Sequence, residues 1–240
     1  METMDNHQYT WLSEVLPPSP QRILDAGCGR GELAAELMRR GHTVTAIDIS
    51  QEAVEAARAA GVPARRADIT GHSGLADYDD GSLFDVIVMS LSLHHMHPLE
   101  AALDRVSGLL DEDGLLMVDE FAWDWADGAA AAWFYDTGSL LSAAGIADFP
   151  REPGRPGRDP AERWREAHGD HTPAADMIAA VAERFEVTSL RREPYLSRYI
   201  GGKVTNSSTD VVNELWRIER DRIAAGILPP TGFRLTARKM

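Results

Sequence analysis

The chain has 240 residues, 44% of them hydrophobic, and a formal net charge of −14. That is enough for one globular domain with a full core, and no run of about 18 apolar residues is present to cross a membrane. The acidic balance speaks against nucleic acid, whose binders set Lys and Arg against phosphates, and the single cysteine, Cys28, excludes an intrachain disulfide and suits a reducing cytoplasm.

The opening Met1-Glu2-Thr3-Met4-Asp5 is acidic and lacks an apolar core, so a secretory signal is not expected. Residues 1–19 read as an N-terminal helix or cap. Arg22 to Ala26 is a short apolar strand running into glycines. Glu32 to Arg40 carries Leu33, Leu37 and Met38 at helical spacing and ends at Gly41. Thr43 to Asp48 is a second strand, rich in β-branched residues. Ser50 is a good N-cap for a helix over Gln51 to Ala60, closed by Gly61. Ala64 to Ile69 reads as a third strand, and Phe84 to Met89 as a fourth, apolar enough to be buried on both faces. Leu99 to Leu110 is a helix, after which Asp113-Gly114 is expected to turn the chain into a fifth strand, Leu115 to Glu120. Strands alternating with helices imply a doubly wound α/β fold with a mostly parallel sheet and helices on both faces. Such folds bind ligands at the carboxyl ends of the strands.

The second half reads differently. Residues 121–173 hold Trp123, Trp125, Trp133, Phe134, Tyr135 and Trp164, an alanine run at 129–132, and a Pro/Gly/Arg stretch from Phe149 to Pro160. This is too long for a plain connection, so a partly helical, lid-like insertion is expected. Within it Arg151, Arg155, Arg158, Arg163 and Arg165 cluster, but Glu152, Asp159, Glu162 and Glu166 are interleaved with them. A helix over Asp176 to Arg184 leads to a strand at Phe185 to Arg191. Residues 192–231 form a further insertion with a helix over Ser208 to Ala225, and Gly232 to Arg238 is the last strand.

The strongest chemical signal is Asp25-Ala26-Gly27-Cys28-Gly29-Arg30-Gly31, between a strand and a helix. Glycines there let the backbone turn sharply and approach a ligand closely. A dinucleotide fingerprint would place its third glycine at position 32, which is Glu32. A ligand without phosphates suits the loop better. Asp48 ends the second strand 23 residues after Asp25, where an acidic side chain can accept both hydroxyls of a ribose. That feature fits NAD and a nucleoside sulfonium equally.

The segment Asp25 to Gly31 closely resembles motif I of the class I S-adenosylmethionine (SAM)-dependent methyltransferases, and Asp48 matches their ribose-binding acid. Ala67-Asp68-Ile69 resembles the segment whose aspartate meets the adenine amino group. Phe84 to Ser90, followed by Leu93-His94-His95, is similar to the post-strand-4 motif of the ubiquinone/menaquinone-type branch. The match covers about residues 20–120, with four motifs in order. It implies a seven-stranded sheet of order 3-2-1-4-5-7-6 with strand 7 antiparallel, and one SAM-binding domain over residues 1–240. It also implies a cofactor site drawn from Asp25, Gly27, Cys28, Gly29, Asp48, Ile49, Asp68, Ile69, Ser90 and Leu91. SAM is the implied cofactor and S-adenosylhomocysteine its product.

Methyl transfer needs alignment of a nucleophile behind the methyl group and exclusion of water; a hydroxyl or amine acceptor also calls for a base. Of the eight histidines, His95, His168 and His171 are candidate bases. For His94 and His95 a packing or cofactor-side role is favoured over that of a base, and His168 and His171 suit a solvated loop or a substrate role equally. Asp119, Glu120, His168 and His171 are ligand types for a metal, but no tight spacing supports one. Trp123, Trp133, Tyr195 and Tyr199 are candidate substrate-binding residues for an apolar or aromatic pocket. Tyr9 and Trp11 either fold over the cofactor or anchor the N-terminal helix, and Arg198 suits a substrate carboxylate or a surface salt bridge. The expected partner is a small-molecule methyl acceptor on oxygen or nitrogen, less so carbon, with no nucleic acid and no membrane; a homodimer is left open. The alternatives are a SAM-fold enzyme that cyclises or decarboxylates, a non-catalytic SAM-binding protein, and an NAD-dependent oxidoreductase.

Overall fold

The structure, a computed structural model, describes residues 4–71, 83–149, 157–205 and 209–240. Arg151, Glu152, Arg155 and Ser208 lie outside the described residues. The chain forms two compact units, one of Pro17–Glu120, Thr172–Arg191 and Arg234–Met240, the other of Met1–Leu16, Phe121–His171 and Arg192–Phe233.

The first unit is built on a seven-stranded sheet. Its strands are β1 (Arg22–Ala26), β2 (Thr43–Asp48), β3 (Ala64–Arg66), β4 (Phe84–Ser90), β5 (Leu110–Phe121), β6 (Phe185–Glu193) and β7 (Gly232–Lys239). Their order is β3-β2-β1-β4-β5-β7-β6. Strand β1 pairs parallel with both β2 and β4, β2 with β3, and β4 with β5. Strand β7 runs the other way. Its Arg234 meets Asp119 late in β5, whereas Arg238 and Lys239 donate to the carbonyls of Asp113 and Leu110 at the start of β5. Position rises along β7 as it falls along β5, which is the antiparallel arrangement.

The central strands are buried because helices cover them. Val86, Ile87, Val88 and Met89 of β4 are all buried, the pattern of a strand covered on both faces. Helix α2 (Glu32–Arg39) connects β1 to β2, α3 (Gln51–Ala59) connects β2 to β3, and α4 (Leu99–Leu109) connects β4 to β5. Ser50 caps α3 by accepting the Ala53 N–H at 3.2 Å. Helix α4 buries Leu99, Ala102, Leu103 and Val106, one helical stripe, and packs against α7 (Ala174–Ala182).

Two expectations need correction. Strand β3 ends at Arg66 instead of Ile69. The Asp68 carboxylate accepts from the Thr70 N–H and hydroxyl at 2.9 and 2.7 Å, and this local bonding competes with the sheet ladder. Strand β5 begins at Leu110 and runs through Asp113-Gly114, which do not separate it from the helix as a turn. The pairing jumps from Phe84↔Leu110 to Val86↔Leu115, so the extra residues are absorbed as a bulge. Gly114 is needed because a Cβ there would stand 2.5 Å from the Leu110 side chain.

The second unit is helical. It contains α1 (Met4–Val15), a short 3₁₀ turn at Trp123–Trp125, α5 (Gly128–Ala143), α6 (Pro160–His168), α8 (Leu196–Gly201) and α9 (Thr209–Ala224). Asp127 caps α5 through the Ala130 N–H at 2.8 Å, and Asp159 caps α6 with Pro160 in its first turn. Its core holds Trp11, Leu12, Phe121, Phe134, Trp164, Leu196, Ile200 and Trp216. Trp11 is thus core of the unit in which α1 packs against α9. Of the arginine cluster, Arg158 pairs with Glu166 and Arg163 stacks 3.7 Å from the Tyr135 ring centre. No helix among the described residues is long and apolar enough to cross a membrane.

Candidate functional site

The strand order reverses between β1 and β4, and the crevice beyond such a switch point is where open α/β sheets bind ligands. Three chain segments meet there. After β1 the chain turns through Gly27 (φ 90°), Cys28 and Gly29 (φ 53°) to Gly31 (φ 87°). The N–H groups of Gly27 and Cys28 both donate to the Ile47 carbonyl at 2.9 Å, tying the loop to β2. After β4, the Ser92 hydroxyl donates to the Ala26 carbonyl at 2.8 Å.

Asp48 sits where β2 ends. One of its oxygens accepts the Gly29 N–H and the other the Ser50 N–H, both at 2.8 Å. The carboxylate is held by the backbone on either side, and each oxygen keeps a lone pair for a further donor. Gly29 has open space where a Cβ would stand. Next to Asp48, Ile49 is an exposed large apolar residue, whereas Ile69 is buried. The Asp68 oxygen bonded to Thr70 stabilises its own turn.

Asp25 is the most unusual group of the site. It is 1% exposed, and neither carboxylate oxygen has a hydrogen-bond partner. Burial, followed by the charges of Asp48 and Glu32, pushes its carboxyl up to about 7. A buried carboxylate without partners is costly unless a cationic or donor group arrives to satisfy it. Cys28 takes no part as a nucleophile: burial and the nearby Asp25 carboxylate push its thiol up to about 12, so it stays protonated.

On the β4 side, Ser90 pairs with Asp119 of β5. Leu91 follows with φ 52°, a left-handed conformation unusual for leucine, and its N–H donates to the Asp119 carbonyl at 2.9 Å. Beyond it a buried carboxylate organises the chain. Glu120 Oε1 accepts the Ser92 and Leu93 N–H groups, and Oε2 meets His94 Nδ1 at 2.6 Å. Glu120 was legible only as a metal-ligand type, and Ser92 gave no sequence signal; the one available sign was a charged pair closing an apolar strand. Asp119 instead faces Arg234, with its oxygen 3.3 Å from Nε. His95 is exposed, its ring 4.1 Å from that of His94.

The remaining sequence candidates lie in the helical unit. His168 is buried, and its Nδ1 meets the Trp164 carbonyl at 2.8 Å while Nε2 lies 3.3 Å from the Tyr199 hydroxyl. The His171 ring is 5.6 Å from that of His168. Trp123 donates its indole N–H to the His171 carbonyl at 3.1 Å and accepts the Trp164 indole N–H on its own carbonyl at 2.8 Å. Tyr195 stacks on Phe121 at 4.3 Å. Trp133 is buried within α5, with the Arg222 guanidinium 5.8 Å from its ring centre. Arg198 is half-buried on α8. The structure thus brings His168, His171, Trp123, Tyr195 and Tyr199 together around Phe121 and Trp164. Among the described residues, no group of three or more His, Cys, Asp or Glu side chains is placed to hold a metal ion.

The residues fit SAM. Two backbone-held oxygens on Asp48 suit the ribose diol, and Gly29 leaves room beside them. The unsatisfied Asp25 carboxylate suits an ammonium such as that of the methionine part, and Glu32 stands in the first turn of α2 where a pyrophosphate would need positive potential.

The sheet order, the glycine loop and the acid ending β2 define a class I, Rossmann-like methyltransferase. Comparison with known proteins agrees, since a family model described as a methyltransferase domain matches residues 4–172. The chain belongs to this SAM-dependent methyltransferase family. It is 38% identical over 119 residues to an uncharacterised methyltransferase of Mycobacterium bovis, covering 48% of this chain and 58% of that protein. It is 33% identical over 119 residues to a ubiquinone biosynthesis O-methyltransferase of Xylella fastidiosa, covering 45% of each. The chain spans about half the length of these curated relatives. A solved SAM-dependent methyltransferase from Mesorhizobium loti shares the fold with a TM-score of 0.56 and 18% identity, over 97% of both chains.

Proposed function

We propose that this protein transfers a methyl group from SAM to an oxygen or nitrogen, in preference to carbon, of a small aromatic or apolar molecule. The observation that carries the reading is the unsatisfied buried Asp25 carboxylate beside a glycine loop already bonded to Asp48. In this reading Asp48 takes the ribose hydroxyls, Asp25 the amino group, and Gly27, Cys28 and Gly29 the methionine part. Ile49, Asp68 and Ile69 serve the adenine, and Ser90 and Leu91 lie toward the methyl group. SAM supplies an activated methyl on sulfur, with a neutral leaving group; the chain's task is to orient the acceptor and keep water away.

The acceptor class is supported by the helical unit, where Tyr195, Tyr199 and Trp123 are half-buried around a continuous aromatic core. The net charge of −14 favours a small molecule over a nucleic acid. The O-methyltransferase of Xylella fastidiosa among the relatives is in keeping with oxygen as the acceptor atom. Calorimetry with S-adenosylhomocysteine tests the cofactor reading. Micromolar binding by the wild type and loss of it in Asp48→Ala are expected. Undiminished binding in Asp48→Ala overturns the ribose assignment, and absence of binding by the wild type overturns the function.

A further inference from the structure

We infer, on the strength of the SAM site proposed above, that Glu120 is a positioning residue for the cofactor. From the end of β5 it sets the segment after β4 and, through Ser92, the glycine turn. All the residues concerned belong to the sheet unit.

The segment after β4 holds a costly shape. Leu91, with φ 52°, is the one non-glycine residue in the left-handed region among those described, and such a backbone persists only where its surroundings over-determine it. Two consecutive residues of β5 do so. The Asp119 carbonyl accepts the Leu91 N–H at 2.9 Å. Glu120 Oε1 accepts the next two amides, Ser92 at 2.7 Å and Leu93 at 2.5 Å, and Oε2 meets His94 Nδ1 at 2.6 Å. Every residue from Leu91 to His94 is thus fixed from the neighbouring strand.

Glu120 takes over a task that Ser92 would otherwise perform. Residues Leu93–His95 form a 3₁₀ turn with Ser92 at its N-cap, and the first amides of such a turn have no partner inside it. A serine there ordinarily accepts one of them with its hydroxyl, yet the Ser92 side chain makes no cap bond. With the amides taken by Glu120, the hydroxyl is released to donate to the Ala26 carbonyl at 2.8 Å. Ala26 opens the glycine turn, and Gly27 packs directly on the Ser92 side chain. The turn is tied to β2 through Ile47 and Asp48, so Ser92 braces it from the β4 side. Two hydrogen bonds in series connect Glu120 to the turn.

Core filling alone does not call for a carboxylate. Glu120 is buried, and for stability an apolar residue of similar volume often serves as well as a buried ionic group. What the carboxylate adds is acceptors in fixed directions for consecutive donors.

Calorimetric titration of the full chain with S-adenosylhomocysteine tests this in wild type, Glu120→Ala, Glu120→Gln, Ser92→Ala and the double variant Glu120→Ala/Ser92→Ala. Leu103→Ala is the control, since Leu103 is buried on α4 and belongs to no proposed site. It should lower the melting temperature and leave the Kd within about twofold of wild type. The Kd should rise about 30-fold or more in Glu120→Ala and about 5-fold in Ser92→Ala, the worth of the hydrogen bonds removed. Glu120→Gln keeps an oxygen for the two amides and presents its NH₂ to the other tautomer of His94, so its Kd should return to within about 5-fold of wild type. Because Glu120 acts through Ser92, the double variant should bind no worse than Glu120→Ala alone. Losses that multiply in the double variant overturn the inference, as do equal losses in the glutamine and alanine variants. A loss in Leu103→Ala that matches Glu120→Ala also overturns it. Should Glu120→Ala not fold, Ser92→Ala decides: reduced affinity supports the bracing path, and unchanged affinity overturns it. Absence of binding by the wild type overturns the proposed function instead.

Discussion

A Cβ placed on Gly27 would stand 2.4 Å from the Cβ of Ser92 and 2.9 Å from its hydroxyl oxygen. The loop after β1 and the loop after β4 are therefore in backbone-to-side-chain contact, and Ser92 is held there by its bond to Ala26. Gly27→Ala meets both a left-handed φ of 90° and this collision, for a combined loss of about 2–4 kcal/mol. Gly41→Ala is the control, because Gly41 has nearly the same φ, 93°, with nothing within 4 Å of a Cβ; it should lose only about 1–2 kcal/mol. Thermal unfolding checks the difference, and only the Gly27 variant should also lose S-adenosylhomocysteine binding.

Asp48→Asn separates charge from shape. An asparagine oxygen can accept the Gly29 N–H or the Ser50 N–H, but not both as the carboxylate does. Its amide also presents donors where the ribose presents donors. Affinity for S-adenosylhomocysteine should fall about 10- to 100-fold, the worth of one or two charge-assisted hydrogen bonds. Calorimetry reads this directly, and a loss under threefold would show that the ligand does not use Asp48.

Asp25 makes stability and binding depend on pH. Its carboxyl is pushed up to about 7 from an ordinary 3.8 by burial above all. Between about pH 4 and pH 7 the folded chain holds a proton that the unfolded chain has lost. Stability contributed by this group is therefore full below about pH 4, falls as pH rises through the window, and is level above about pH 7. The total is about 4 kcal/mol as an order of magnitude. Asp25→Asn should remove the decline and raise the melting temperature at alkaline pH. Binding of an ammonium-bearing ligand should release a proton near pH 6, seen as dependence of the calorimetric heat on the buffer's ionisation enthalpy. Heats that do not change with buffer would place the ammonium elsewhere.

Glu219 holds the aromatic unit's geometry. It is fully buried on α9 and accepts the N–H groups of Tyr195, Leu196 and Ser197 at 3.0, 2.9 and 2.7 Å, filling the N-terminus of α8. Glu219→Ala strands those donors and should cost about 3 kcal/mol or more. Glu219→Gln keeps one acceptor oxygen and should cost less than half of that. Equal melting temperatures for wild type and alanine variant would refute the role.

Most of the fold was legible because its signals are local. Ser50 announces α3, Leu99 to Val106 forms a helical stripe, and β4 is a plain apolar run. The Asp25 to Gly31 motif is likewise contiguous, and Asp48 follows one strand–helix–strand step later. What was hidden is what the chain joins across distance. Ser92 against Gly27, Glu120 under Ser92, and Glu219 over Tyr195 are contacts between segments far apart in sequence, and no periodicity encodes them. Gly114 was misread for a related reason: glycine marks a turn and a tight approach alike, and only the Leu110 side chain distinguishes them. Strand β3 was overextended because Asp68 and Thr70 prefer their own turn to the ladder.

Glu120 grips the amide hydrogens of Ser92 and Leu93 and meets the side chain of His94. An anchor addressed to the main chain is indifferent to what that main chain carries. His95 and His97 are exposed on this segment, whose path is set by its main-chain bonds to Glu120. The fold thereby fixes the main chain beside the glycine turn through bonds made to its amides.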